Sequence, residues 1–256
     1  MSHSEQIVDQ FTRQAAQFAR SPGARSQDIL QTILRLAQPR PHDSALDVAC
    51  GPGVLACELA QRLRHATAID LTPAMLDQAR NTQHDRGVAN VTWDLGDVTA
   101  LPYAHAAFDI VTCRFAFHHF PEPLPVLREM KRVCRPDGRI VIADTAPSPA
   151  KADAFNAMER LRDPSHARAL PEEDWLRLFA GAGLPMPHLE SARLAMDLEE
   201  FLARSYPHQG DELRIRAMFE AALANDTLDV RPYRQQQTIR FSVPVAILSV
   251  QIPYGG

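Results

Sequence analysis

Between residues 44 and 145, apolar and polar positions follow two alternating rhythms. Apolar runs of strand length stand at 45–49, 66–71, 91–95, 108–113 and 139–143. Leu55, Leu59 and Leu63 recur every four residues, which predicts a helix over 54–63 with one apolar face. Thr72-Pro73 is a cap and first-turn pair for a helix carrying Met75, Leu76 and Ala79. A helix over 124–134 sets Leu127, Met130 and Cys134 on one side, and Pro136-Asp137-Gly138 predicts a turn. Strands that alternate with helices in this way predict a parallel sheet covered on both faces.

After Thr145 the rhythm changes. Residues 147–187 are mainly helical and more polar, 188–194 form a sixth strand, and 198–223 are helical again. Residues 238–252 predict a long last strand, antiparallel to its neighbours or hairpin-paired near the sheet edge. The expected fold class is α/β: a doubly wound, mostly parallel seven-stranded sheet with a helical cap. Residues 1–38 are expected to form an N-terminal helical lid and 39–256 the main domain, with helical insertions at about 147–186 and 197–230.

Composition narrows the class. The chain has 256 residues, with 45% hydrophobic and 23% charged, as in an ordinary globular domain. The net charge of -4 argues against a broad nucleic-acid-binding surface. Cys50, Cys57, Cys113 and Cys134 form no CxxC pair and have no zinc-site spacing, so no metal site is expected. They read as reduced, buried thiols of a cytoplasmic protein. The first twenty residues lack a signal-peptide core, and the apolar stretch 243–252 is too short to span a bilayer.

The candidate chemistry begins at Leu46-Asp47-Val48-Ala49-Cys50-Gly51-Pro52-Gly53. This turn follows the first strand and opens a helix, at the sheet edge where ligands bind in doubly wound folds. Glycines there let a ligand approach the backbone. Asp47 inside the strand end needs a partner, which a cationic ammonium or backbone amides would supply. Asp70 ends the second strand about twenty residues on, where an acid accepts from both ribose hydroxyls. Asp97, in Gly96-Asp97-Val98 after the third strand, is placed to accept from an adenine amino group. A nicotinamide fingerprint is the competing reading, with Ala56 in its third glycine position. Asp47 counts against it, because a pyrophosphate site avoids negative charge.

This ordered series resembles the class I S-adenosylmethionine-dependent methyltransferases, and in particular the group that includes the ubiquinone/menaquinone biosynthesis C-methyltransferases. The resemblance covers residues 11 to 185 approximately. It continues through Leu101-Pro102-Tyr103, Phe108-Asp109, His118-His119-Phe120 and the segment 127–138. One departure is Ala49, where the family often has glycine. The resemblance implies a Rossmann-like methyltransferase fold that uses S-adenosylmethionine and releases S-adenosylhomocysteine. It implies that Asp47, Ala49, Gly51 and Gly53 surround the methionine end of the cofactor. Asp70 would hold the ribose, Leu71 and Met75 would lie against the adenine, and Asp97 and Val98 would read its edge. Arg114 would face the cofactor carboxylate or the pocket floor. For Met75, core packing is an equal alternative.

Methyl transfer needs alignment and exclusion of water, and only sometimes a base. His118 and His119 are the candidate catalytic residues, with helix capping or packing as the plain alternative. Arg160-Leu161-Arg162-Asp163-Pro164-Ser165-His166-Ala167-Arg168 either binds an anionic or carbonyl-rich substrate or forms a solvated helix end. Phe11, Phe18, Phe115, Phe117 and Tyr206 either line a flat pocket or pack the core. The N-terminal helix with Phe11, Gln14 and Phe18 is expected to fold over the cofactor. The expected function is methyl transfer to a small, planar or aromatic biosynthetic metabolite by a monomer or homodimer, with no nucleic-acid partner. Two alternatives stand beside it. One is a same-fold enzyme that catalyses demethylation, cyclisation or decarboxylation, and the other is a non-catalytic binding protein.

Overall fold

The computed structural model describes residues 2–18 and 26–254; of residues 16–18 it describes the backbone alone. Helices α1 (His3–Phe18) and α2 (Gln27–Ala37) precede a βα series: β1 (Ser44–Val48), α3 (Val54–Ala60), β2 (His65–Asp70), α4 (Pro73–Arg86), β3 (Val91–Leu95), β4 (Phe108–Arg114), α5 (Pro123–Val133) and β5 (Cys134–Thr145). The second half adds α6 (Ala152–Arg162), α7 (Glu172–Gly181), β6 (His188–Asp197), α8 (Leu198–Ala203), α9 (Asp211–Ala224), β7 (Tyr233–Gln235) and β8 (Thr238–Gln251).

Among the described residues, seven strands lie in the order β3-β2-β1-β4-β5-β8-β6, and the short β7 pairs with β8 off this path. The first five are mutually parallel, whereas β8 runs antiparallel to both β5 and β6. The central strands β1, β4, β5 and β8 are buried on both faces along most of their length, which is why they read as apolar runs, whereas β3, β6 and β7 are partly exposed. Along β8, Val243, Val245 and Ile247 enter one core, beside Leu30, Leu59, Phe155 and Phe219. Ala246, Leu248 and Val250 enter the other, beside Leu127, Met130, Trp175 and Phe179. The period of two sends alternate side chains to opposite faces.

Two segments differ from the sequence expectation. Residues 134–138 belong to β5 instead of a separate turn: Cys134 pairs with Phe108, and pairing resumes at Arg139 with Ile110. The extra residues form a bulge with Asp137 at a φ of 67°. The helix expected over 198–223 is broken between α8 and α9, at a stretch holding Pro207 and Gly210. The last strand meets the expectation: it is antiparallel to both neighbours, lies one strand from the sheet edge and forms a hairpin with β7, and most of its length is buried. No helix among the described residues is long and apolar enough to cross a membrane.

Gly53 holds α3 against the sheet. Its φ is 74°, and a Cβ there would stand 2.4 Å from the Trp93 indole and 2.9 Å from Ala79 Cβ. Trp93 cannot easily yield, because its N–H donates to Gln83 Oε1 at 2.7 Å. Gly53→Ala should therefore cost about 2 kcal/mol or more of stability, from overpacking and the left-handed backbone. Urea denaturation of the two proteins checks this; an unchanged midpoint would contradict the packing role.

Candidate active site

The carboxyl ends of β1, β2, β4 and β5 and the loop after β3 open onto one cavity of about 330 Å³. Its lining includes Asp47, Ala49, Gly51, Asp70, Leu71, Met75, Asp97, Val98 and Arg114. Gly53, the tenth expected cofactor residue, is not in the lining, because its hydrogen side is turned toward Trp93. Met75 is buried in the core and also borders the cavity.

Ala49 has a φ of 52° and Gly51 a φ of 53°, so the turn after β1 is left-handed at both positions. The curl aims the Gly51 N–H at Asp70 Oδ2, 2.8 Å away, and the Thr72 N–H reaches Asp70 Oδ1 at 2.9 Å. Each carboxylate oxygen of Asp70 is thus pinned by a backbone amide and keeps further acceptor capacity. Burial raises its pKa, and those amides partly offset the effect. Asp97 is fixed by Thr99, whose backbone N–H and hydroxyl both donate to Oδ1 at 2.8 Å.

Asp47 is 2% exposed. The Thr112 hydroxyl of β4 donates to its Oδ1 at 2.8 Å. Burial pushes the Asp47 pKa up to about 7, against the pull of that bond and of the Arg114 charge. Burial also brings Arg114 down to about 10, with Asp47 opposing the shift. A buried carboxyl poised at neutrality is a ready acceptor for a ligand cation.

The opposite wall holds the histidines. A short helical turn at Phe117–His119 follows β4 and buries both His118 and His119. His118 Nδ1 donates to Asp144 Oδ1 of β5 at 2.5 Å. Burial disfavours charge on His118, but the Asp144 carboxylate outweighs it and raises the pKa. His119 is pushed down to about 4 by burial and by the His118 charge, so it is neutral at pH 7. Its Nδ1 donates to the Ser165 carbonyl at 3.0 Å. Both residues line the cavity, with Nδ1 engaged in each.

Helix α1 borders one side. His3, Ile7, Phe11 and Gln14 of α1 line the cavity. His3 Nε2 donates to the His119 carbonyl at 2.7 Å, and Phe11 meets the His119 ring edge-on at 4.9 Å. The Phe18 side chain lies outside the described residues. Phe115 lines the cavity, whereas Phe117 packs in the core against Trp175 and Tyr206 donates to the Arg13 carbonyl. Of the segment 160–168, Arg162 and Asp163 turn inward, while Arg160 is exposed and Arg168 pairs with Asp174 at the surface. Sequence reasoning missed Thr112, Asp144, Glu159, Phe201 and Arg204. Asp144 ends a strand at the ligand edge, the same signal that marked Asp70, but the others carry no local motif.

Comparison with known proteins places this geometry in a family. A model described as a methyltransferase domain matches residues 46–142. The uncharacterized methyltransferase YcgJ of Bacillus subtilis is 29% identical over 223 residues, spanning 86% of this chain and 88% of that protein. The demethylmenaquinone methyltransferase of Deinococcus radiodurans is 35% identical over 175 residues, spanning 68% of this chain and 69% of that one. The crystal structure of YcgJ matches with a TM-score of 0.81 at 26% identity, covering 88% of this chain and 98% of the other. The chain belongs to the methyltransferase family. Its relatives include the ubiquinone/menaquinone C-methyltransferases that the motif series resembles.

Proposed function

We propose that the protein transfers a methyl group from S-adenosylmethionine to a small, planar or aromatic metabolite. One observation carries this reading: Asp47 and Asp70 at the ends of β1 and β2, and Asp97 in the loop after β3, line a single cavity with His118. The donor set fits the cofactor. Asp47 offers a buried carboxyl for an ammonium group, and Asp70 offers two amide-pinned oxygens for a diol. Asp97 offers an acceptor for an exocyclic amine, and nothing lies within 4 Å of where a Gly51 Cβ would stand, which leaves room beside the turn.

When bound, S-adenosylmethionine supplies a methyl group already activated by the sulfonium. The chain's residues are left to align the acceptor, exclude water and remove a proton. The lid helix and Phe11 cover the cavity. His118 is the general base in this reading. Asp144 holds the proton on Nδ1, which leaves Nε2 as the basic nitrogen. Neutral His119 packs beside it, with ring centroids 4.2 Å apart, and positions it. The planar-substrate part is supported by the aromatic lining and by the name of the Deinococcus relative.

The test is incubation with S-adenosylmethionine and a panel of phenols, hydroquinones and aromatic acids. Equal formation of S-adenosylhomocysteine and a methylated product supports the reading. Conversion of a substrate without S-adenosylhomocysteine would replace it with non-methyl-transfer chemistry.

The Asp47 carboxyl gives a pH prediction. A carboxyl with a pKa of about 7 must lose its proton before it can pair with the ammonium of S-adenosylhomocysteine. Affinity should rise with pH up to about 7, by up to about tenfold per unit, and then level off. Calorimetric titration from pH 5.5 to 7.5 measures this, with Asp47→Asn as control. The slope should vanish in the variant, and an equal slope in both proteins would assign it elsewhere.

A further inference from the structure

Arg204 follows α8 directly and borders the same cavity, beside Met196 and Phe201. Its guanidinium lies 5.5 Å from the Phe201 ring centroid, and Nη2 donates to the Met196 sulfur at 3.5 Å. Among the described residues, no carboxylate pairs with it. Glu159 and the exposed Glu200 act on it through their charge without forming a salt bridge to it, and the other charges of this wall are engaged with one another. Arg162 stands over the same Phe201 ring at 4.7 Å. It donates through Nε and Nη2 to Glu159 Oε2 at 2.9 and 2.6 Å and through Nη1 to Ser205 Oγ at 2.8 Å. Asp163 accepts from the Ser165 hydroxyl at 2.6 Å, and Asp144 is taken by His118.

Arginine carries five N–H donors. Arg204 spends one on a weak sulfur acceptor, at the edge of an aromatic-lined cavity that already holds a compensated neighbour. Burial and the charge of Arg162 lower its pKa to about 10, which leaves it a cation at any physiological pH. A planar fork of donors at low dielectric favours a planar oxyanion over a neutral group of equal shape. The cofactor carboxylates already have a candidate partner in Arg114, beside Asp47. Arg204 instead stands beside Met196 of β6 and Phe201 of α8, residues that the cofactor motifs do not include.

We propose that Arg204 recognises a carboxylate on the substrate, so that the natural methyl acceptor is a planar or aromatic acid. The word acceptor rests on the function proposed above; the preference for a carboxylate does not. The Phe201 ring, 5.5 Å from the guanidinium carbon, and the Met196 sulfur hold the Arg204 guanidinium in place.

The test compares 4-hydroxybenzoate with its neutral counterpart, 4-hydroxybenzamide. Both are titrated calorimetrically into wild type, Arg204→Gln and Arg204→Lys, each with and without S-adenosylhomocysteine. Thermal melts confirm that the variants are folded. Wild type should bind the acid at least about tenfold more tightly than the amide, as one charge-assisted hydrogen bond supplies. Arg204→Gln should lose that preference, and Arg204→Lys should restore part of it. Three results would overturn the inference: equal binding of acid and amide, no binding of either up to the solubility limit, or a preference that survives in Arg204→Gln. If S-adenosylhomocysteine fails to bind while the Arg204-dependent preference remains, the methyltransferase reading falls and the carboxylate subsite stands.

Discussion

Asp70→Ala is expected to weaken S-adenosylhomocysteine binding by about a hundredfold or more. Both Asp70 oxygens are pinned by backbone amides, so the carboxylate is rigid before any ligand arrives. Rigidity matters because a preorganised acceptor spends no side-chain entropy on binding. Two charge-assisted hydrogen bonds to a ribose diol contribute about 1.5 kcal/mol each at the low end, and about 3 kcal/mol corresponds to more than a hundredfold. The substitution also leaves the Gly51 and Thr72 amides without their acceptor, so the turn after β1 loses its clamp. Asp70→Asn separates the two effects. Its side-chain oxygen can still accept from one of the amides, and the loss of affinity should be smaller. Equal affinity in wild type and Asp70→Ala would show that this acid only shapes the turn.

The second large effect lies at His118. Its replacement by alanine should lower kcat by about 10² to 10⁴, the usual contribution of a positioned acid or base, while the affinity for S-adenosylhomocysteine changes little. The pH profile gives a sharper test. The base must be deprotonated to act, so the ascending limb of kcat should follow the pKa of His118. Asp144 raises that pKa, which places the limb above the ordinary histidine value of about 6.5. Asp144→Asn removes the opposing charge and leaves burial, which lowers the pKa. The limb should move to lower pH, and the maximal rate should fall because the tautomer is no longer held. If the limb stays fixed in Asp144→Asn, the ascending ionisation belongs to another group.

The parallel core and its acidic edge were legible in the chain because their determinants are local. Asp47 and Asp70 each lie within a few residues of a strand end, and the strand itself is marked by an apolar run. The Asp144–His118 pair was not legible, since its members are 26 residues apart and meet only because β4 and β5 are neighbours in the sheet. Arg204 is farther out of reach: its place depends on how the α8–α9 break seats the cap against the edge strands. Gly53 was legible in part. The chain shows that a glycine stands in the turn, but not that the Trp93 side chain from β3 fills the space where its Cβ would lie. The segment 160–168 was ambiguous for a similar reason. Helix α6 ends within it, so one arginine turns to the cavity while Arg160 and Arg168 face solvent.

The most direct measurement of the central claim is a calorimetric titration of the folded wild-type protein with S-adenosylhomocysteine at pH 7.5. The account predicts one site with micromolar-range affinity, about -8 kcal/mol. Folded protein that gives no binding heat across a range of temperatures, and no thermal stabilisation at saturating ligand, would contradict it.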